Sequence, residues 1–166
     1  MMEETSSAQA RAEIIRKQEA NLVFEAFGPD TAFALGQSLR QHAIAHGGSV
    51  IIDITCGGLQ VFRCAVGSPS PNNDRWVRRK RNVVLEFFKS SLLVAQEMKL
   101  SGRTLQDFGL SDYDFALSGG AFPLRVKDLG VVGAIVVSGL PQTHDHQLIA
   151  DTLCDFLHAQ AASVLG

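Results

Sequence analysis

The sequence predicts an α+β domain in which a five-stranded, mostly antiparallel sheet lies between helical layers. Three observations predict it. Two pairs of β-prone runs, 49–55 with 59–66 and 122–127 with 131–138, are joined by connections short enough only for hairpins. A further β-prone run, Asn21 to Phe27, brings the strand number to five. Helical patterns precede, separate and follow these runs, so helices must cover the faces of the sheet.

Taken in order, residues 8–20 favour helix, with Ile14 and Ile15 as an apolar stripe. The strand expected at 21–27 ends at Gly28-Pro29-Asp30, where Pro29 suits the first turn of a helix. Ala32, Leu35, Gly36, Leu39, Ala43 and Ile44 recur at helical spacing until Gly47-Gly48 stops them. In the next strand Val50, Ile52 and Ile54 share one face and Ile51, Asp53 and Thr55 the other, and Cys56-Gly57-Gly58 turns it into 59–66. Pro69 and Pro71 break the chain. With Ser70 as cap and Pro71 in the first helical position, a helix over 70–89 carries Trp76, Val83, Val84, Phe87 and Phe88 inward. Residues 91–100 are helical and end at Gly102. Residues 113–117 lead into Ser118-Gly119-Gly120, and Asp128-Leu129-Gly130 turns the second hairpin. Residues 131–137 are apolar on both faces, which predicts a central strand. Thr143 is expected to cap a last helix with Ile149, Leu153, Phe156, Leu157, Gln160 and Val164 in period. No linker or repeat divides the chain, so residues 1–166 are expected to form a single domain.

Composition narrows the function classes. No apolar run approaches the ~18 residues of a membrane span, and Met1 to Ser7 is acidic and polar, unlike a signal peptide. Cys56, Cys64 and Cys154 form no Cys-x-x-Cys pair and leave one odd, which suits a reducing compartment and a cytoplasmic location. A net charge of −2 argues against a dedicated nucleic-acid binder. The local exception is 71–81, which gathers five of the fifteen cations and the sole tryptophan. Arg75, Arg78 and Arg79 share a helical face by their spacing, with Lys80 and Arg81 offset. Such a face is either solvated or subunit-facing, or else a clamp for an anion or carboxylate. Asn73 and Asp74 stand where capping residues belong.

Several motifs fall in order along nearly the whole chain. They are Asn73-Asp74-x-Trp76-Val77-x-Arg79-Lys80, Ser90-Ser91, Phe115-Ala116-x-x-Gly119-Gly120-x-Phe122-Pro123-Leu124 and Val137-Ser138-Gly139-Leu140-Pro141-x-x-x-Asp145-His146. With them the chain resembles the haem-degrading-domain family, a group related to GlcG-like proteins and a secreted haem-binding protein. The resemblance implies a profilin-like three-layer fold, homo-oligomers that are often rings, and haem as the candidate cofactor. There is one departure: relatives commonly carry His before the Gly-Gly pair, and this chain has Ser118. Serine ligates transition metals poorly and is no base near neutral pH, so such a role is lost at that position.

The candidate ligand-binding residues are Asn73, Asp74, Trp76, Arg79, Ser118, Gly119, Gly120 and His146, with His146 read either as the candidate iron ligand or as a hydrogen-bonded structural histidine. Trp76 reads either as a core or interface anchor or as a stacking platform, and the diglycine either as a plain turn or as a pocket wall. His144 and His146, two apart, diverge on a helix and cannot chelate one metal together. His42 and His46 have the i, i+4 spacing of a metal site but no third ligand, and read as an exposed pair. No P-loop, dinucleotide fingerprint or nucleophile elbow occurs. The expected function is an oligomeric cytoplasmic binding protein for a small anionic or haem-like ligand. A non-catalytic assembly or stress-associated scaffold is the alternative. A haem-degrading or small-acid enzyme ranks last, because no paired acid–base set or nucleophile is legible.

Overall fold

The computed structural model describes residues 1–159 and 162–165. Five α-helices and four strands alternate in blocks among the described residues: α1 (Met2–Asn21), α2 (Pro29–His46), β1 (Val50–Cys56), β2 (Leu59–Val66), α3 (Pro71–Phe87), α4 (Ser91–Ser101), β3 (Ala121–Val126), β4 (Gly130–Ser138) and α5 (Gln142–Leu157). A short 3-10 helix, Leu105–Phe108, separates α4 from β3. The sheet is antiparallel throughout, in the order β2-β1-β4-β3. The doubly apolar β4 is central, as its composition requires, and Pro123, which cannot donate to a ladder, sits in the edge strand β3.

Alternation along β1 divides the core. Val50, Ile52 and Ile54 face α2 and α5, packing with Leu35, Leu39, Ile149 and Leu153. Ile51 faces the opposite way and packs with Val77 and Val84 of α3. Helices therefore cover both faces of the sheet, and α4 ties α3 to α1 through two further apolar clusters. Ser70 and Asn73 form the expected capping box at the start of α3, and Gly47 and Gly102 close α2 and α4 in the left-handed region.

Three expectations are corrected. The sheet has four strands and not five: α1 runs from Met2 to Asn21, and only Phe24 then bridges to Val126. Phe24 donates its N–H to the Arg125 carbonyl at 2.9 Å and accepts from Lys127 N at 2.8 Å. Its ring goes into the core, and one bridge is all that the outer edge of β3 receives there. The N-terminal helix is longer than 8–20, because its polar start is helical too. Thr143 does not cap α5, which starts at Gln142 after Pro141. Gln160 lies outside the described residues.

Candidate functional site

The first half of α3 sets the site. Residues 73, 77, 80 and 84 follow the helical repeat, and Val77 and Val84 are wholly buried against the sheet. Lys80 occupies this apolar stripe at 3% exposure. A buried ammonium needs a partner, and Lys80 Nζ donates to Asp145 Oδ2 at 2.9 Å and to the Val137 carbonyl at 3.4 Å. Asp145, in the first turn of α5, is 1% exposed and also accepts from Leu140 N at 2.9 Å and Gly139 N at 3.3 Å. Burial pushes the Asp145 carboxyl up and the Lys80 amine down, while the attraction and hydrogen bond between them pull the other way.

This pair forms the floor of a cleft of about 210 Å³ walled by Asn73, Trp76, Ser118, Ser138 and Leu140. Gly120, at φ 123°, is buried and packs closely against this pair. A Cβ there would lie 2.8 Å from Lys80 Nζ and 2.9 Å from Asp145 Cβ, and would collide with the Val137 carbonyl. The neighbouring Gly119 amide is engaged, donating to Gln142 Oε1 at 3.1 Å.

Trp76 and Asn72 also border a broader hollow of about 550 Å³, with Arg75, Arg78, Arg79 and Tyr113 around it. The Arg79 guanidinium lies 4.7 Å from the Trp76 ring centroid, and its Nε donates to the Asp112 carbonyl at 2.9 Å. Arg78 pairs with Asp114 at 2.9 Å and covers the Tyr113 ring at 5.4 Å. Arg75 is exposed and donates to Asn72 Oδ1 at 3.3 Å. The basic cluster is thus largely engaged by its own chain.

Asn73, Trp76 and Ser118 meet at the cleft, Gly120 packs against the pair at its floor, Gly119 follows Ser118, and Arg79 reaches it only by way of the indole. Two expected residues lie elsewhere. Asp74 is exposed and ion-paired with Arg63 of β2. His146 follows Asp145 by one residue, and about 100° of helical rotation turns it into the interior. It is 0% exposed, donates from Nε2 to Gln18 Oε1 at 2.7 Å, and packs its ring 5.6 Å from Phe122. Burial alone drives its pKa down to about 3, and Nδ1 is buried without a hydrogen-bond partner among the described residues. The assignment of an iron ligand to His146 is therefore corrected: neither ring nitrogen borders the cleft. His42 engages Thr152 and Asp155, and no metal-holding group of three His, Cys, Asp or Glu side chains occurs among the described residues.

Sequence reasoning missed the roles of Lys80 and Asp145. The available signal was a lysine between two valines, Val77 and Val84, on the buried stripe of the helix. It also missed a second buried carboxylate, Asp53, at 0% exposure on β1. Asp53 accepts from Arg81 at 3.0 Å, Arg63 at 3.2 Å, Thr55 Oγ1 at 3.2 Å and Gln60 Nε2 at 2.5 Å.

Comparison with known proteins agrees with this architecture. The model of the family described as haem degrading protein HbpS-like matches residues 27–153. A UPF0303 protein of Edwardsiella ictaluri is 46% identical over 153 residues, covering 92% of this chain and 97% of its own. A UPF0303 protein of Rhizobium leguminosarum is 44% identical over 139 residues, covering 84% of each chain. Among solved structures, the Ybr137w protein superposes with a TM-score of 0.81 at 26% identity, over 89% of this chain and 87% of that one. The PduOC:heme complex superposes with a TM-score of 0.65 at 14% identity, over 85% of this chain and 100% of that one, which shows the shared fold.

Proposed function

Because this chain belongs to the haem-degrading HbpS-like family, we propose that it is a cytoplasmic, homo-oligomeric binding protein for a small anionic ligand held against Trp76. One observation carries the reading: the buried Lys80–Asp145 pair faces an open cleft, where a purely structural pair would be sealed by packing. Arg75 and Arg79 add positive charge on the far side of the indole, and Asn73 and Ser118 add hydrogen-bonding groups on the near side. No helix among the described residues is long and apolar enough to cross a membrane.

Haem does not fit the residues the sequence assigned to it. The cleft of about 210 Å³ is below the ~300–1,000 Å³ of sites for drug-sized ligands, and the hollow of about 550 Å³ beyond Trp76, though within that range, has no histidine on its wall and has Arg78 and Arg79 engaged by Asp114 and the Asp112 carbonyl. His146 is turned inward, and Arg79 already donates to the Asp112 and Phe115 carbonyls.

Calorimetry with lactate, pyruvate, acetate and phosphate tests the reading. At least one anion is expected to bind, with affinity falling about tenfold or more in Trp76→Ala. Silence across the panel overturns it. Titration with haemin, read at the Soret band, is expected to be indifferent to His146→Ala. Native mass spectrometry of the purified protein is expected to show a homo-oligomer, and a monomer sinks that part. A scaffold without small-molecule chemistry is favoured by one observation, that Arg78, Arg79 and Arg81 all engage groups of their own chain. It predicts blank titrations and an altered sedimentation coefficient for Arg79→Ala.

A further inference from the structure

Resting on the anion-binding reading, and going one step beyond it, we propose that Lys80 is a carbonyl-reactive amine. A small oxo acid would enter the cleft and condense with Nζ to form an imine, with Asp145 handling the proton. Three features of the geometry point to this chemistry. Lys80 borders a cavity at the one place where its amine is otherwise enclosed. Gly120 packs its backbone against the pair, where any side chain would press on the nitrogen at 2.8 Å, so Nζ is held in place from that side. An acid–base partner already stands at 2.9 Å. The cavity admits only a small molecule, and the polar groups of Asn73 and Ser118 suit a carboxylate beside the carbonyl.

The step balances within the pair. With the shared proton on Asp145, the neutral amine forms the C–N bond and the carbonyl π electrons move to oxygen. A proton passes from nitrogen to that oxygen, giving a carbinolamine. Asp145 then protonates the hydroxyl, the C–O bond breaks and water leaves. The product is a protonated imine paired with the Asp145 carboxylate. No oxidant, reductant or cofactor is consumed. Burial, which lowers the basicity of Lys80 and raises that of Asp145, favours the starting arrangement.

The chain carries its own controls, because Lys17, Lys89, Lys99 and Lys127 are all more exposed than Lys80. The intact protein is incubated with pyruvate, 2-oxobutyrate or oxaloacetate and cyanoborohydride, then weighed and peptide-mapped. We expect a single reduced adduct on Lys80, at least tenfold above any other lysine. Lactate, which has no carbonyl, should compete with it and leave no adduct. Asp145→Asn, checked for folding by circular dichroism, should slow trapping about 100-fold, well beyond any accompanying loss of lactate affinity. Should Asp145→Asn fail to fold, the adduct map of the wild-type chain still decides. Adducts absent, or spread evenly over the surface lysines, with lactate still binding, overturn the imine and leave the anion-binding reading intact. If neither lactate nor any oxo acid binds, both fall.

Discussion

Asp53 and Asp145 are both wholly buried carboxylates reached by cations of α3, yet they are finished differently. Asp53 accepts from two guanidiniums, an amide and a hydroxyl, so its oxygens are saturated and packing closes over them. Asp145 has one ammonium and two backbone amides, and its partner lysine still borders a cavity. A third buried carboxylate, Glu19 on α1, has less. It accepts from Ser90 N at 3.2 Å and lies 3.8 Å from Arg125, and burial pushes its pKa up to about 7. The series shows that burial alone does not mark a functional carboxylate. Saturated partners set Asp53 apart as architecture, whereas Asp145 and Glu19 both border hollows, of about 210 and 370 Å³, and of the two only Asp145 is matched by a buried cation.

The contrast can be broken most directly at Asp53. Asp53→Leu leaves Arg81 without a carboxylate and Arg63 with Asp74 alone, and should cost about 3 kcal/mol by denaturant unfolding; a loss under about 1 kcal/mol would remove the distinction. Glu19 comes next. Its folded pKa exceeds the reference value of 4.5, so the folded state holds the proton longer and stability declines as pH rises from 4.5 to about 7. The decline should approach about 3 kcal/mol and vanish in Glu19→Gln. His146 acts in the opposite direction, since the unfolded chain protonates below 6.5 and the buried ring does not until about 3, so acidification below 6.5 destabilises. Unfolding midpoints across pH 4–8 for wild type, Glu19→Gln and His146→Gln separate the two slopes. Gly120→Ala should cost about 1–3 kcal/mol by thermal melting through its strained φ and weaken anion binding, because the new Cβ meets the Val137 carbonyl and pushes on the Lys80–Asp145 pair. The smallest stability effect is expected for replacing both cleft partners, Lys80→Met with Asp145→Leu. The fold should be as stable as wild type or more so, and binding should be gone. A large loss of stability there would make the cleft pair structural after all.

Much of this was legible in the sequence. The two faces of β1, the central position of β4, both hairpins and the Ser70 cap follow from local pattern and turn chemistry. The run 21–27 has the composition of a strand, but whether an edge is free to accept it depends on β3, a hundred residues away in sequence. Propensity cannot report that. The cleft was half legible, because Asn73, Trp76, Ser118 and Gly120 stood out as motif and turn residues. Lys80 and Asp145 stand in the quoted motifs, but their pairing spans 65 residues and no local pattern joins them. Choosing His146 in place of Asp145 was an error of one residue in helical phase, enough to exchange a cleft wall for the interior.

The sole indole stands between the two hollows with a guanidinium over its face. Its fluorescence is therefore a built-in optical probe. Emission from this protein reports one place only, so a shift in wavelength or quenching on adding a solute would reveal occupancy of either chamber without any label.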